Sequence, residues 1–459
     1  MKMTKHCGYV IEVKNLKPHP NADRLQLLEV FGTETCVPLD VKMGDIGIYF
    51  PTDLQLSEEF CVVNDLLEKK DENGNKIGGY LHPTKRNVKC IRLRGEKSDG
   101  TYLPITCLDY LNLAEMPKVG DTIDVLDGHE ICRKYIPAVP AKSTGNGSVK
   151  TGRRKTPIAP LFAEHVDTEQ LPYNLDAFKP GDYVEITLKM HGTSGRTAHL
   201  PKHVGYNDSF GTKAGNAIKK ILNKLTNSHY EEHHDEPIYE YGYVSGTRRV
   251  VLNGFDGPAY YASNDFREPH AKAFEGKLYK GETVYYEIVG FQNNGIQIMA
   301  DCDNKKTKDK DFIKKYGETT TFSYGCEVGK SDMYVYRMTM TNEDGDVVEY
   351  TPDFMRYRCE QMGVKTVPVL WSGIIEGKRI ETNEITPGEW VQNIAEGFYE
   401  GPDPIGKTHI REGVVVRIVN RPTFKAYKWK NFYFKVLENI IKVDAEAPDM
   451  EEAQEVGEN

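Results

Sequence analysis

The stretch Asp182–Arg196, DYVEITLKMHGTSGR, limits what this chain can fold into more than any other. Val184, Ile186 and Leu188 alternate with Glu185, Thr187 and Lys189, the period of a strand buried on one face only. Such a strand needs a sheet around it, and it delivers Glu185, Thr187 and Lys189 to a common open face. Lys189 stands at its end, followed by His191 and the small residues Gly192, Thr193, Ser194 and Gly195. There a phosphate can approach the backbone closely. A lone lysine at a strand end is more often a snorkelling surface residue than a nucleophile, so the remainder of the chain must decide.

With 459 residues the chain has length for two or three domains with sizeable cores. The formal charge of −9 argues against a uniformly basic nucleic-acid binder, but it is unevenly spread. From Ile441 onward seven acidic side chains stand against one lysine, so residues 442–459 read as a solvated acidic tail. Nine scattered cysteines with no Cys-x-x-Cys pair suit a reduced cytoplasmic setting better than a disulfide framework or a zinc site. No apolar run reaches membrane-spanning length, and MKMTKHCGYV lacks the apolar core of a signal peptide. The expectation is a cytoplasmic monomer with no membrane partner.

Residues 1–136 read as a small β domain. Gly8–Val13, Leu25–Val30, Ile46–Phe50 and Thr122–Val125 are short β-prone runs separated by turn signals, a spacing that suggests a barrel. The segment PHPNADRLQLLEV resembles part of the oligonucleotide-binding (OB) folds of tRNA-binding modules. Lys85–Gly100 carries Lys85, Arg86, Lys89, Arg92, Arg94 and Lys97 on and around one strand. These are either a solvated basic edge or a phosphate-tracking surface, and Lys89, Arg92 and Arg94 are the candidate phosphate contacts. Residues 137–156, rich in Pro, Ser, Thr and Gly, read as a linker.

Beyond the linker, residues 157–441 read as one α+β domain. Gly211–Asn227 places Ile218, Ile221, Leu222 and Leu225 at helical spacing, with lysines elsewhere on its surface. His229–Glu236 mixes histidines and acids without an ordered ligand spacing, as a solvent-exposed loop does. Thr283–Gly290 alternates Tyr285 and Glu287 against Val284, Tyr286 and Ile288. Asp332–Met338 aligns Tyr334 with Tyr336, Phe354–Gly363 reads as a helix, and Arg411–Val419 is apolar enough after Glu412 to be a central strand. Lys425–Lys430 sets Lys428 and Lys430 opposite Tyr427 and Trp429. A purely structural sheet has little reason to present a charged or polar group on strand after strand, because burying charge is costly unless it is paired.

In chain order the candidates are Lys189 in KMHGTS, Arg248 in SGTRR, Glu287 in YYEIVG, Tyr336 in MYVYRM, Glu412 in REGVVVR, and Lys428 with Lys430 in KAYKWK. This series resembles the nucleotidyltransferase motifs I, Ia, III, IIIa, IV and V of the covalent-lysine ligase superfamily. The His-Gly after the lysine is similar to ATP-dependent RNA ligases rather than DNA ligases, and an OB-like barrel ahead of the catalytic domain resembles the branch that carries one at its N-terminus. The resemblance implies an OB-like β-barrel followed by an antiparallel-sheet nucleotidyltransferase domain, with ATP and a divalent metal (Mg2+ or Mn2+) as cofactors. It implies RNA ends, nicked or broken, as substrates, joined 3′-hydroxyl to 5′-phosphate through lysyl-AMP and RNA-adenylate.

The roles follow from the same resemblance. Lys189 is the nucleophile, and it must be partly neutral to attack the α-phosphorus. Lys428 and Lys430 neutralise that phosphate, Glu287 accepts from the ribose, Tyr336 (or Tyr334) stacks on adenine, and Arg248 (or Arg249) holds phosphate. Glu412 is the acid near the metal, and His191 and Gly192 belong to the nucleotide site. The 59 positions between Lys189 and Arg248 require an insertion, for which the Gly211–Asn227 helix and its acidic loop are the material. ATP chemistry is expected to need only the part after the linker. The rivals are a DNA ligase, a capping-type guanylyltransferase, and an inactive homologue that only holds RNA.

Overall fold

The computed structural model describes residues 6–135, 157–166, 168–226, 230–255, 264–376 and 385–444. The expected linker and all of the expected tail beyond Asp444 lie outside them.

In the N-terminal part, β1 (Gly8–Glu12), β2 (Leu25–Val30), β3 (Thr33–Pro38), β4 (Ile46–Phe50), β5 (Cys90–Leu93), β6 (Glu96–Asp99), β7 (Thr101–Pro104) and β8 (Thr122–Ile123) account for the β-prone runs. They form a β7-β4-β1-β8 sheet, a three-stranded sheet of Leu16–Pro18, β2 and β3, and a separate β5-β6 hairpin. No closed barrel is present among the described residues. Val10, Ile48, Phe50, Phe60, Leu108 and Ile123 make its largest apolar core. Arg94 and Gly95 join β5 to β6 with φ of 47° and 98°, the double left-handed turn that matches the twist of a hairpin.

The second part is built on two sheets. The elements are β9 (Tyr183–Lys189), β10 (Thr193–Asn207), α1 (Phe210–Thr226), β11 (Glu236–Gly246), β12 (Glu282–Gly290), β13 (Ser331–Thr341), α2 (Pro352–Met362), β14 (Val369–Ile374), α3 (Pro387–Tyr399), β15 (Gly413–Ile418), β16 (Lys425–Lys430) and α4 (Phe432–Asp444). One sheet runs β16-β15-β9-β14, all antiparallel, with Glu169–Gln170 added in parallel outside β16. The other runs β11-β10-β12-β13, antiparallel throughout and flanked by two short strands. This is a mixed α and β fold with antiparallel sheets.

Alternation decides which faces are covered. Val184, Ile186, Val414, Val416, Ile418, Tyr427 and Trp429 pack under Val391 and Ala395 of α3. Val284, Tyr286, Ile288 and Val335 pack under Met355, Cys359 and Met362 of α2. Thr351 caps α2 by accepting from the Phe354 N–H, and Gly363, in the left-handed region, ends it. The sheet faces left over border a shared cavity.

The sheets join at Met190–Gly192. A Cβ on Gly192 would lie 2.3 Å from the Ile288 carbonyl oxygen, so only glycine lets β9 hand over to β10 this close to β12. Gly413 is held as tightly: its φ is 152°, and a Cβ there would lie 2.0 Å from the Trp429 carbonyl oxygen. Among the described residues no helix is long and apolar enough to cross a membrane, and all nine cysteines are free.

Candidate active site

Lys189 ends β9 directly opposite Gly413, which itself faces Lys430 across the next ladder. That register brings three charged ends together. Lys189 Nζ lies 2.9 Å from Glu412 Oε1, and Lys430 Nζ lies 3.4 Å from the same oxygen. Lys430 is also held by Glu438 on α4, donating at 2.8 and 3.1 Å to its two carboxylate oxygens. Glu412 is only 2% exposed, and its Oε2 has no hydrogen-bond partner among the described residues. His191 Nδ1 stands 3.8 Å from that oxygen. Burial pushes the His191 imidazole down to about 4, so it is neutral and brings no charge to Glu412 at neutral pH. Its ring is walled in by Phe322 and Phe434, and its backbone N–H donates to Tyr324 Oη at 2.7 Å.

These groups line a cavity of about 670 Å3, within the range of small-molecule sites. Its walls include Glu185, Thr187 and Lys189 from β9, Gly192, Glu287 from β12, Arg248, and Lys428 and Lys430 from β16. Burial first, and then the charges of Lys430, Lys189 and Arg248, push Lys428 down to about 8.

The members of both open pairs differ in position. Tyr336 lines the cavity, and Tyr334 does not. Equal spacing puts them on one face, but Tyr285 pairs with Arg337 while Tyr286 pairs with Val335, so Tyr336 is the extra residue of a β-bulge. The bulge re-aims one tyrosine relative to the other; Tyr334 instead donates to Asp332 at 3.1 Å. Likewise Arg248 lines the cavity and Arg249 does not. The loop carrying Arg248 is pinned by Arg196, whose guanidinium donates to the carbonyls of Thr247 (2.8 Å), Arg249 (3.0 Å), Phe162 (3.0 Å) and Ala163.

Several residues of the site carry no signal in the sequence. Glu438 and Lys435 lie on α4, beyond the last of the motifs. Arg356 holds Glu185 at 2.8 Å. His165 packs edge-on against Tyr336, and burial with Arg337 and Arg248 nearby keeps it neutral. No local pattern announces these, because each depends on a distant segment.

The basic strand of the N-terminal part is engaged within the protein. Arg92, expected on an open phosphate-tracking surface, pairs with Asp309 at 2.9 Å and donates to Tyr433 Oη at 2.6 Å. Lys97 lies over the Phe432 and Tyr433 rings. Lys89 is pushed down by burial and by Lys85, and the Arg94 carbonyl accepts from Asn21. Next to them Asp99, 2% exposed, pairs with Lys435 of α4 at 2.5 Å and accepts from Thr52 at 2.6 Å. Burial works against the charge of Lys435, but Asp99, with Tyr173 and Cys90 beside it, outweighs burial and raises the lysine above its usual value. Tyr9, Phe31 and Asp53 also line the cavity, so its wall is not built by residues after 156 alone.

A family model described as RNA ligase matches residues 182–437, more than half of the chain. The chain belongs to the RNA ligase family. Solved structures of Naegleria gruberi RNA ligase share the fold. A mutant with ATP and Mn is 15% identical, with a TM-score of 0.51 over 93% of this chain and 98% of that one. A mutant with AMP and Mn is 15% identical, with a TM-score of 0.52 over 93% and 97%. An apo mutant is 16% identical, with a TM-score of 0.52 over 94% and 98%. No curated protein matches the chain.

Proposed function

We propose that the chain is an ATP-dependent RNA ligase that activates RNA ends through a lysyl-AMP on Lys189. The observation that carries this reading is the convergence of Lys189 and Lys430 on one buried oxygen of Glu412, at the wall of a nucleotide-sized cavity. Membership of the RNA ligase family, and the ATP, AMP and Mn named with the Naegleria structures, support ATP and a divalent metal as cofactors.

In the first step the neutral amine of Lys189 attacks the α-phosphorus. The N–P bond forms, the bond to the bridging oxygen of the β-phosphate breaks, and pyrophosphate leaves with that electron pair. An RNA 5′-phosphate oxygen then displaces Lys189 from AMP, and a 3′-hydroxyl displaces AMP to leave a phosphodiester. Lys428, Lys430 and Arg248 face the phosphates as charge builds on them. Glu287 accepts from the ribose, Tyr336 stacks on the base at the bulge, and Gly192 leaves the backbone open to close approach. His191, neutral and enclosed, forms the wall behind Glu412.

Glu412 fits a divalent cation: an oxygen-donor carboxylate suits Mg2+ or Mn2+, and its buried Oε2 accepts from no donor among the described residues. Bound there, such an ion would take up the charge of Glu412 that now faces Lys189 and would offset phosphate charge.

We place the domain limits at 1–136, 137–156 and 157–444, with the tail starting after α4 rather than at 442, and keep an OB-type reading of the first. RNA contact there falls to Arg94 and Lys89 more than to Arg92, whose charge is paired internally. Incubation with ATP or GTP labelled at the α-phosphorus tests the proposal. An acid-labile protein–AMP bond formed from ATP supports it, and labelling from GTP alone would assign the chain to the capping-type rival.

A further inference from the structure

The helix α1 is mounted inside out. Its sequence, FGTKAGNAIKKILNKLT, has four lysines and no acid among 17 residues, with its apolar side chains gathered along one stripe. An amphipathic helix ordinarily turns that stripe to the protein. Here the polar stripe does so. Asn216 exchanges hydrogen bonds with the backbone of His233 (2.5 and 2.9 Å), and Asn223 with that of Tyr230 (2.9 and 2.6 Å). Lys219 donates to the Glu231 carbonyl at 2.9 Å. The apolar stripe is left to solvent, with Phe210 89%, Leu225 76%, and Ile218 and Ile221 each 58% exposed.

Position reinforces the pattern. β10 pairs with β12 only over Thr193–Ala198, whereas its pairing with β11 runs on to Asn207↔Glu236. The two strands thus leave the sheet as an arm with α1 at its tip, where a broad surface can reach the helix. Lys213, Lys220 and Lys224, spaced seven and four residues apart, share one flank of the apolar stripe. Three neighbouring acids are engaged locally: Asp235 accepts from the Ser209 N–H and the Thr212 hydroxyl at the helix start, Asp208 accepts from the Asp235 N–H, and Glu232 pairs with Lys220 at 3.4 Å.

We propose that α1 lies flat on an anionic lipid surface, its apolar stripe in the headgroup–acyl boundary and its lysine flank against acidic headgroups. One apolar stripe on an otherwise polar helix that itself carries four lysines and no acid is the combination such binding needs. A helical protein partner fits less well, because 17 residues give little more than two heptads of seam. The helix would rest at the interface and would not cross the bilayer.

Flotation of the full chain with vesicles tests it, using phosphatidylcholine alone or mixed with phosphatidylserine. The protein should float with the mixed vesicles and far less with the neutral ones. The Ile221→Glu/Leu225→Glu variant should stay at the bottom with unchanged circular dichroism and unchanged covalent AMP labelling. Lys213→Gln/Lys220→Gln/Lys224→Gln should weaken binding by ~100-fold, about fivefold per lysine, and remove its salt dependence. Failure of the wild type to float at low salt would overturn the proposal. So would self-association lost in the Glu variant without vesicle binding, which would give the stripe to a second copy. Loss of RNA binding alone in the Gln variant would give the lysines to RNA and equally refute it.

Discussion

Lys428 is the residue whose service to the proposed chemistry should be measurable as a cost in stability. Its ammonium is pushed from 10.5 to about 8, first by burial and then by Lys430, Lys189 and Arg248. A lysine whose pKa is lower in the folded than in the unfolded chain destabilises the fold wherever the unfolded chain is protonated. The penalty is full below about 8, shrinks as pH rises from there, and is gone above 10.5. That distance, at ~1.36 kcal/mol per pH unit, is about 3 kcal/mol, an upper limit because Lys428 still faces a cavity wide enough for water. Lys428→Met keeps the stem and removes the charge. It should raise the unfolding free energy at neutral pH by about 1–3 kcal/mol, with a gain that fades toward pH 10.5, while abolishing AMP labelling. Urea titrations of both proteins across that pH range, beside a labelling assay, read both effects. A variant destabilised equally at every pH would refute the reasoning, since it would mean that the ammonium is satisfied where it sits.

Three further outcomes follow from the geometry. Glu412→Gln should cut self-adenylation by more than ~100-fold, and excess chelator should do the same to the wild type; full labelling in chelator would remove the metal from Glu412. Glu438→Gln keeps an acceptor for Lys430 but not its charge, so labelling should fall by roughly tenfold to a hundredfold with the fold intact; an unchanged rate would make Glu438 a bystander. Asp99→Asn leaves Lys435 buried without its anion and should destabilise the chain by about 3 kcal/mol or more in denaturant melts; because Lys435 lines the cavity, AMP labelling should fall with it.

The sequence made legible whatever depends on period alone. β9, β12, β15 and β16 present the faces that alternation assigns them, and the series Lys189, Glu287, Glu412, Lys428 and Lys430 does line one cavity. What it hid depends on distant partners. The bulge that separates Tyr336 from Tyr334 arises from pairing with Tyr285 and Tyr286, which nothing within MYVYRM announces. Arg92 reads as an open phosphate contact because Asp309 and Tyr433 lie far along the chain. Helical spacing correctly groups Ile218, Ile221, Leu222 and Leu225, but periodicity says which residues share a face, not whether that face meets the protein. Strand spacing in the N-terminal part yields the strands and leaves open how they close. Those strands form separate small sheets, because closure is set by register and not by count.

The central claim is that Lys189 carries the nucleotide. Its most direct test is to label the full chain with ATP and a divalent ion, digest it under conditions that spare phosphoramides, and locate the added AMP by mass spectrometry. The account predicts AMP on the peptide containing Lys189 and on no other, with none in Lys189→Ala. AMP on a different lysine, or a Lys189→Ala protein that labels as fast as the wild type, would contradict it.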